Sequence, residues 1–174
     1  MRLPRFMEEK KLTGAGIGTA LHRMMRMLKL DAIRETHDIR AEIARQAQEM
    51  LECGVVTEAE YAAVPVKMMT ELFASPLGRR MLRSARVERE WAFTFLRERS
   101  GEAAQLVQGV IDCCFEEDGR WVLVDYKTDS DIPGALEKHR PQLEIYAQAL
   151  EEITGMPVAE RILYLVRAGT GYAV

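Results

Sequence analysis

The sequence predicts an α/β domain: a mixed sheet with a β-α-β crossover and an N-terminal helical cap. Three observations carry this. The hydrophobic period changes near Ala85, from helical spacing before it to strand alternation after it. Two short apolar runs, Gly109-Val110-Ile111-Asp112 and Val122-Leu123-Val124-Asp125-Tyr126-Lys127, flank Asp118-Gly119, the strongest short-range hairpin signal. A helical stretch over 135–153 then leads to a last apolar run, 161–166. The crossover between the two strands it joins should be right-handed, and the strands parallel.

Element by element, Thr13 predicts an N-cap for a helix over 14–30, with Ile17, Leu21, Met24, Met25 and Leu28 as its apolar stripe. Residues 38–51 predict a second helix ending near Cys53-Gly54. Thr57 to Glu60 forms a capping box that opens a third, which Pro65 offsets or kinks before Met68, Met69, Leu72 and Phe73 resume the apolar face. Ser75-Pro76 opens a short helix running to Arg83, with proline at its first position. Val87, Trp91, Phe93 and Phe95 then share one strand face, with Glu88, Glu90 and Thr94 on the other, and a polar turn over 99–102 leads into the hairpin. Residues 129–134 read as a loop in which Asp129 and Asp131 are loop and cap residues, and Pro141 restarts the helix after a short first segment. Gly155 and Pro157 end that helix, and Gly169 to Gly171 turns the chain toward a last edge residue or two. Residues 1–84 thus form a helical part and 85–174 a core, within one structural domain overall.

Composition narrows the function. Hydrophobic content of 48% and charged content of 29% are those of a soluble globular domain, and no apolar run reaches the length of a membrane span. Residues 1–11 hold no apolar segment of a secretory signal, so a cytoplasmic protein is expected. A net charge of −3 argues against an autonomous, tight, non-specific nucleic-acid binder. Arginines cluster at Arg79, Arg80, Arg83, Arg86 and Arg89, where a solvated helix face is the simplest explanation. A nuclease of this charge needs a local basic channel or a partner that delivers the strand. Three cysteines, Cys53, Cys113 and Cys114, are too few and too badly spaced for a tetracysteine zinc or iron–sulfur site. The methionines, mostly in the N-terminal half, fit adaptable core better than an interaction groove.

If Asp118-Gly119 is the centre of a two-residue turn, Asp112 stands opposite Asp125 across the ladder, and Lys127 shares the face of Asp125. Directly opposed side chains have Cβ atoms roughly 5 Å apart, and like charges so placed destabilise the pair. Two such anions need a cation between them. Either Lys127 neutralises one aspartate in a salt-bridged patch, or the pair holds a metal ion. His22, one turn after the small Gly18, is by position alone a structural side chain or a ligand.

The spacing of Asp112 and Asp125-Tyr126-Lys127 is similar to the D…(D/E)-x-K signature of the PD-(D/E)xK nuclease superfamily. The context strengthens the likeness. Gly109 to Asp112 resembles the family's G-x-x-D strand, and Asp125-Tyr126-Lys127-Thr128 its D-Y-K-T strand. Gln142 to Tyr146 resembles the Q-x-x-x-Y motif of the RecB-like branch, Gly18 to His22 its G-x-x-x-H helix, and Arg89-Glu90-Trp91-Ala92-Phe93 its R-E-x-P-F strand, with Ala92 where the family usually has proline. Within the branch the chain most resembles the C-terminal nuclease domain of the AddA family of ATP-dependent helicase/nucleases.

This resemblance implies a restriction-endonuclease-like core and a metal-dependent deoxyribonuclease, an exonuclease acting on DNA, here a single strand at a duplex end, 3′-terminated by analogy. Asp112 and Asp125 would be metal ligands with the carbonyl of Tyr126, and His22 would add a nitrogen. Mg²⁺ is the expected ion, with Mn²⁺ possible. Lys127 would orient the attacking water and stabilise developing charge. Glu90 would be an additional ligand or supporting group, with an exposed strand glutamate as the alternative. Gln142 and Tyr146, four apart on one helix face, would contact the catalytic strand or DNA, with core packing the alternative for Tyr146. The family also implies an upstream helicase domain and an AddB-like partner. The missing cysteines exclude an iron–sulfur cluster, and the absence of a Walker A loop means that this chain does not bind ATP. Two alternatives remain: a non-catalytic DNA-binding or subunit-contact module of nuclease fold, and a stand-alone exonuclease of phage or plasmid type.

Overall fold

A computed structural model describes residues 12–97 and 104–174. The expectations for the first eleven residues and for the polar turn at 99–102 lie outside these. The chain divides into two units, Met1–Glu71 and Leu72–Val174.

In the first unit, α1 (Gly14–Met27) starts as expected, with the Thr13 hydroxyl accepting the Gly16 amide at 3.2 Å. It ends three residues before the expected Leu30, and a short α2 (Leu30–Glu35) follows. The cause is distant in sequence. Buried Gln46, on α3 (Ile39–Glu52), accepts the Lys29 amide at 2.7 Å and donates to the Lys29 carbonyl at 3.3 Å, so the break loses nothing to desolvation. The capping box of α4 (Glu58–Ala63) forms, and Glu60 also takes Arg23 of α1 at 3.1 Å. Pro65 separates α4 from α5 (Val66–Ala74) rather than kinking one helix. Met24, Met25, Met50 and Met69 are buried core, as adaptable apolar residues should be.

The second unit is a five-stranded sheet in the order β1 (Val87–Arg97), β2 (Gln105–Glu117), β3 (Arg120–Lys127), β4 (Val158–Leu165), β5 (Thr170–Ala173). Only β3 and β4 pair in parallel, joined through helix α7 (Ile132–Thr154), which gives the expected β-α-β unit. Asp118 and Gly119 both have positive φ, 51° and 70°, as a two-residue type I′ turn requires. The expected last edge residues are a four-residue strand, β5.

Two expectations for the crossover helix need correction. The 129–134 loop is shorter than expected, because α7 already starts at Ile132 with Pro133 in its first turn. Pro141 does not restart the helix, which runs through it unbroken for 23 residues. Pro141 and Glu137, whose carbonyl loses its helical partner, are both exposed, so that carbonyl is not sealed from solvent. The buried face of α7, Ala135, Leu143, Ala147 and Leu150, packs with Phe93, Ile111, Trp121, Leu123 and Leu163 of the sheet.

Helix α6 (Pro76–Arg83), counted with the helical part by sequence, belongs with the sheet. Arg80 is the reason: its guanidinium bridges Glu117 at the end of β2 and Glu160 on β4, above the Phe115 ring. Gly78 lets α6 press against the end of α5, since an added Cβ would lie 2.0 Å from the Leu72 carbonyl oxygen. Among the described residues no helix is long and apolar enough to cross a membrane.

Candidate active site

The site is built on a row of carboxylates across three neighbouring strands. In the β2–β3 ladder the pairs run from Glu117–Arg120 to Cys113–Val124, so the next position sets Asp112 opposite Asp125. In the β1–β2 ladder, Arg89 pairs with Cys113 and Trp91 with Ile111, which sets Glu90 opposite Asp112. Asp112 thus faces an acid on each of its two neighbouring strands.

The Asp112 Oδ2 accepts the amide of Tyr126 at 2.8 Å, which ties the two strands together at the acids. On the far side, the Lys127 carbonyl accepts the Val166 amide at 3.0 Å. Successive residues of a strand present their peptide groups to opposite edges, so the Tyr126 carbonyl, like its amide, is directed toward the Asp112 side. Glu90 has φ of 50°. That is the left-handed region, which costs a non-glycine residue roughly 1 kcal/mol or more. A carboxylate oxygen of Glu90 lies within 4.8 Å of one of Asp112.

Asp125 is the most buried of the acids, 1% exposed. The Lys127 ammonium lies 2.5 Å from its Oδ2. The distance makes an ion pair, but the angles fall outside hydrogen-bond geometry, so neither buried oxygen of Asp125 has a well-formed hydrogen bond among the described residues. Burial, and next the charge of Asp112, push the Asp125 carboxyl above the usual carboxylate range, and Lys127 offsets only part of this. Hard oxygen donors gathered in a buried place with one carboxylate poorly satisfied fit a divalent cation of the Mg²⁺ type.

The other expected residues fall into two groups. The Gln142 amide donates to the Tyr146 hydroxyl at 2.8 Å, and the Tyr146 ring meets Phe93 edge-on, 5.4 Å between centroids. Gly109 permits this approach, because an added Cβ would lie 2.7 Å from Phe93 and 3.0 Å from Tyr146. Tyr146 therefore lies half-buried against β1 and β2. His22 lies half-buried on α1, in the first unit.

Sequence reading gave no role to His139, which is buried on α7. Its Nε2 lies 3.3 Å from Oδ2 of Asp129, and Lys138 donates to Oδ1 of the same carboxylate at 3.2 Å. Asp129 is thus more than a loop residue. The two residues lie ten apart, across a loop and a helix start, so no local spacing rule joins them. Of the clustered arginines, Arg80 is bound by two glutamates, and Arg86 pairs with Glu88 and stacks over Trp121 at 4.7 Å.

Comparison with known proteins agrees with this geometry. Residues 1–173 match the PD-(D/E)XK nuclease superfamily. The chain is similar to the A subunit of the ATP-dependent helicase/nuclease of Lysinibacillus sphaericus, 36% identical over 93% of the chain and 14% of the relative. It is also similar to the proteins of that name in Pelotomaculum thermopropionicum, 39% identical over 95% of the chain and 14% of the relative, and Alkaliphilus oremlandii, 35% identical over 98% and 15%. The chain spans about one seventh of the length of these relatives.

Proposed function

Because the chain belongs to the PD-(D/E)XK nuclease superfamily, we propose that it is a divalent-metal-dependent deoxyribonuclease, the exonuclease part of a helicase-nuclease that processes DNA double-strand breaks for recombinational repair. The observation that supports this best is the buried pair Asp112 and Asp125, with Lys127 at 2.5 Å from the second. A structural salt bridge would be better served by one aspartate, since the second adds repulsion in a buried place.

Asp112, Asp125 and the carbonyl of Tyr126 would hold the ion, with the imidazole of His22 as a nitrogen ligand and Glu90 as an additional or supporting acid. Mg²⁺ suits the oxygens, and a histidine nitrogen also accommodates Mn²⁺. When bound, the ion lowers the pKa of a water and offsets charge on the phosphate oxygens. Lys127 holds a proton-donating ammonium beside Asp125, where it orients the attacking water and stabilises negative charge as the phosphodiester opens. Gln142 and Tyr146 support the sheet beside the G-x-x-D strand. The relatives' names include a helicase, and on that basis DNA would reach this part as a single strand from a duplex end, with an AddB-like protein as partner, in the cytoplasm.

The test is cleavage of end-labelled single-stranded DNA with Mg²⁺ or Mn²⁺, comparing the chain with Asp125→Ala and Lys127→Ala. Metal-dependent cleavage abolished by both substitutions is the expected result. Cleavage that survives both would place the chemistry elsewhere. Calorimetric Mn²⁺ binding lost in Asp125→Ala would support the metal site independently of turnover.

A further inference from the structure

Lys127 has a mobile stem, and its ammonium is useful only if held in one direction. Asp125 is one partner. If Asp125 also binds a cation, as the proposed function holds, it becomes a weaker partner for the ammonium, and the backbone of Lys127 must carry more of the positioning. On one side the backbone is pinned by the Val166 amide on the Lys127 carbonyl, at 3.0 Å. Immediately afterwards the chain leaves the sheet, and Thr128 to Ser130 have no regular structure.

That short segment is fastened to α7 through Asp129, which takes Lys138 at 3.2 Å and His139 at 3.3 Å. The two bonds are unequal. The Lys138 side chain is 66% exposed, so water screens its pairing, whereas the His139 side chain is 11% exposed. A carboxylate only accepts, so Nε2 of His139 carries the hydrogen in this bond. Burial, and next the positive charge of Lys127, hold the His139 imidazolium below the usual histidine range, which keeps the ring neutral. A neutral ring within electrostatic reach of Lys127 fastens the segment without adding a second cation beside the ammonium.

We propose that His139, acting through Asp129, is a positioning residue for Lys127: the partly buried His139–Asp129 bond fixes the segment that leaves β3 and so the direction of the lysine side chain. The inference rests on the nuclease reading for its functional consequence but not for its structural one.

The test uses the full chain with ¹³C,¹⁵N-labelled lysine, free of metal, and its Lys127 resonance assigned by Lys127→Arg. In His139→Leu, and from the other side in Asp129→Ala, the Lys127 resonance should shift more than those of the remaining lysines. His139→Gln, which restores an amide donor, should return it toward the wild-type position. Thermal unfolding identifies any variant that does not fold, and the other substitution then decides. In cleavage of a single-stranded oligonucleotide, His139→Leu should lower kcat by about 10- to 100-fold, the loss common for outer-shell partners, with KM and the Mn²⁺ dissociation constant unchanged. A Lys127 resonance that stays in place in the folded variants would overturn the proposal, as would a loss confined to KM. If the resonance follows His139 while the wild type cuts no DNA, the positioning stands and the nuclease reading fails.

Discussion

At the scale of single residues, Asp125 combines two unfavourable circumstances: it is 1% exposed, and it shares its surroundings with the carboxylate of Asp112. Lys127 relieves this only in part. A residue kept for stability would not be arranged so, and the sign is testable. Asp125→Asn removes one of the two opposed charges, so the metal-free protein should unfold no earlier than wild type and by up to about 2–4 °C later, the shift that about 1 kcal/mol produces in a chain of this length. Mn²⁺ at a hundredfold excess over the dissociation constant should stabilise the wild type by about 2.7 kcal/mol, raising its midpoint, and leave that of Asp125→Asn unchanged. A lower midpoint in metal-free Asp125→Asn would show that the ion pair with Lys127 outweighs the repulsion. The cysteines give a second check. Burial pushes the Cys113 thiol up to about 12, and Cys114 is raised further for the same reason, while Cys53 is exposed. One thiol should therefore react with a maleimide in the native protein and three after denaturation, read by mass spectrometry. The opposition of Asp112 and Asp125 was legible in the sequence because a two-residue turn fixes register over a few residues. The left-handed backbone of Glu90 and the His139–Asp129 bond were not, since both depend on what tertiary structure sets beside them.

Whole elements repeat that division between local and distant causes. The capping box at Thr57, the proline-started α6, the Asp118-Gly119 turn and the glycine end of α7 each follow from a few adjacent residues, and each appears where the sequence puts it. The break after Met27 depends on Gln46, seventeen residues beyond Lys29, and the survival of α7 through Pro141 depends on which side of the helix faces water. The same reasoning singles out Gly78 and Arg80 on α6. Gly78→Ala drives a methyl group to 2.0 Å from the Leu72 carbonyl oxygen. It should cost on the order of 3 kcal/mol, the upper part of the usual range for overpacking, measured by urea unfolding. Arg80 acts through charge: its guanidinium holds the Glu117 carboxyl below its ordinary 4.5. A depressed carboxylate stabilises the fold above its unfolded pKa, and that contribution is lost as pH falls through the lower, folded value. Arg80→Ala should thus cost about 1 kcal/mol at pH 7, a modest figure because the glutamates are exposed enough for water to screen them. The gap between variant and wild type should close as pH falls from 5 toward 3. A gap independent of pH would assign the loss to the contact of Arg80 with the Phe115 ring instead.

For the molecule as a whole, charge decides how the proposed chemistry meets its substrate. The net charge is −3, and of the clustered arginines two are committed elsewhere, Arg80 to Glu117 and Glu160, Arg86 to Glu88 and the Trp121 ring. The proposed site itself gathers acids, Glu90, Asp112 and Asp125, which repel a phosphate until a cation is bound. Capture of a strand by this chain alone must then be weak, while the chemistry at the site can still be complete. Both follow if, as proposed, the strand is delivered to this site by a helicase. Binding of a fluorescent single-stranded oligonucleotide to Lys127→Ala, measured with Mg²⁺ present across a range of salt, separates the two. Each phosphate neutralised on a single strand contributes about −0.7 to the slope of log K against log salt, so two or three contacts give a slope no steeper than about −2. In the wild type, KM for the oligonucleotide should rise with salt along that shallow slope while single-turnover cleavage at saturating strand stays nearly constant. A slope of about −4 or steeper would mean that the chain has a basic channel of its own and captures DNA without a partner.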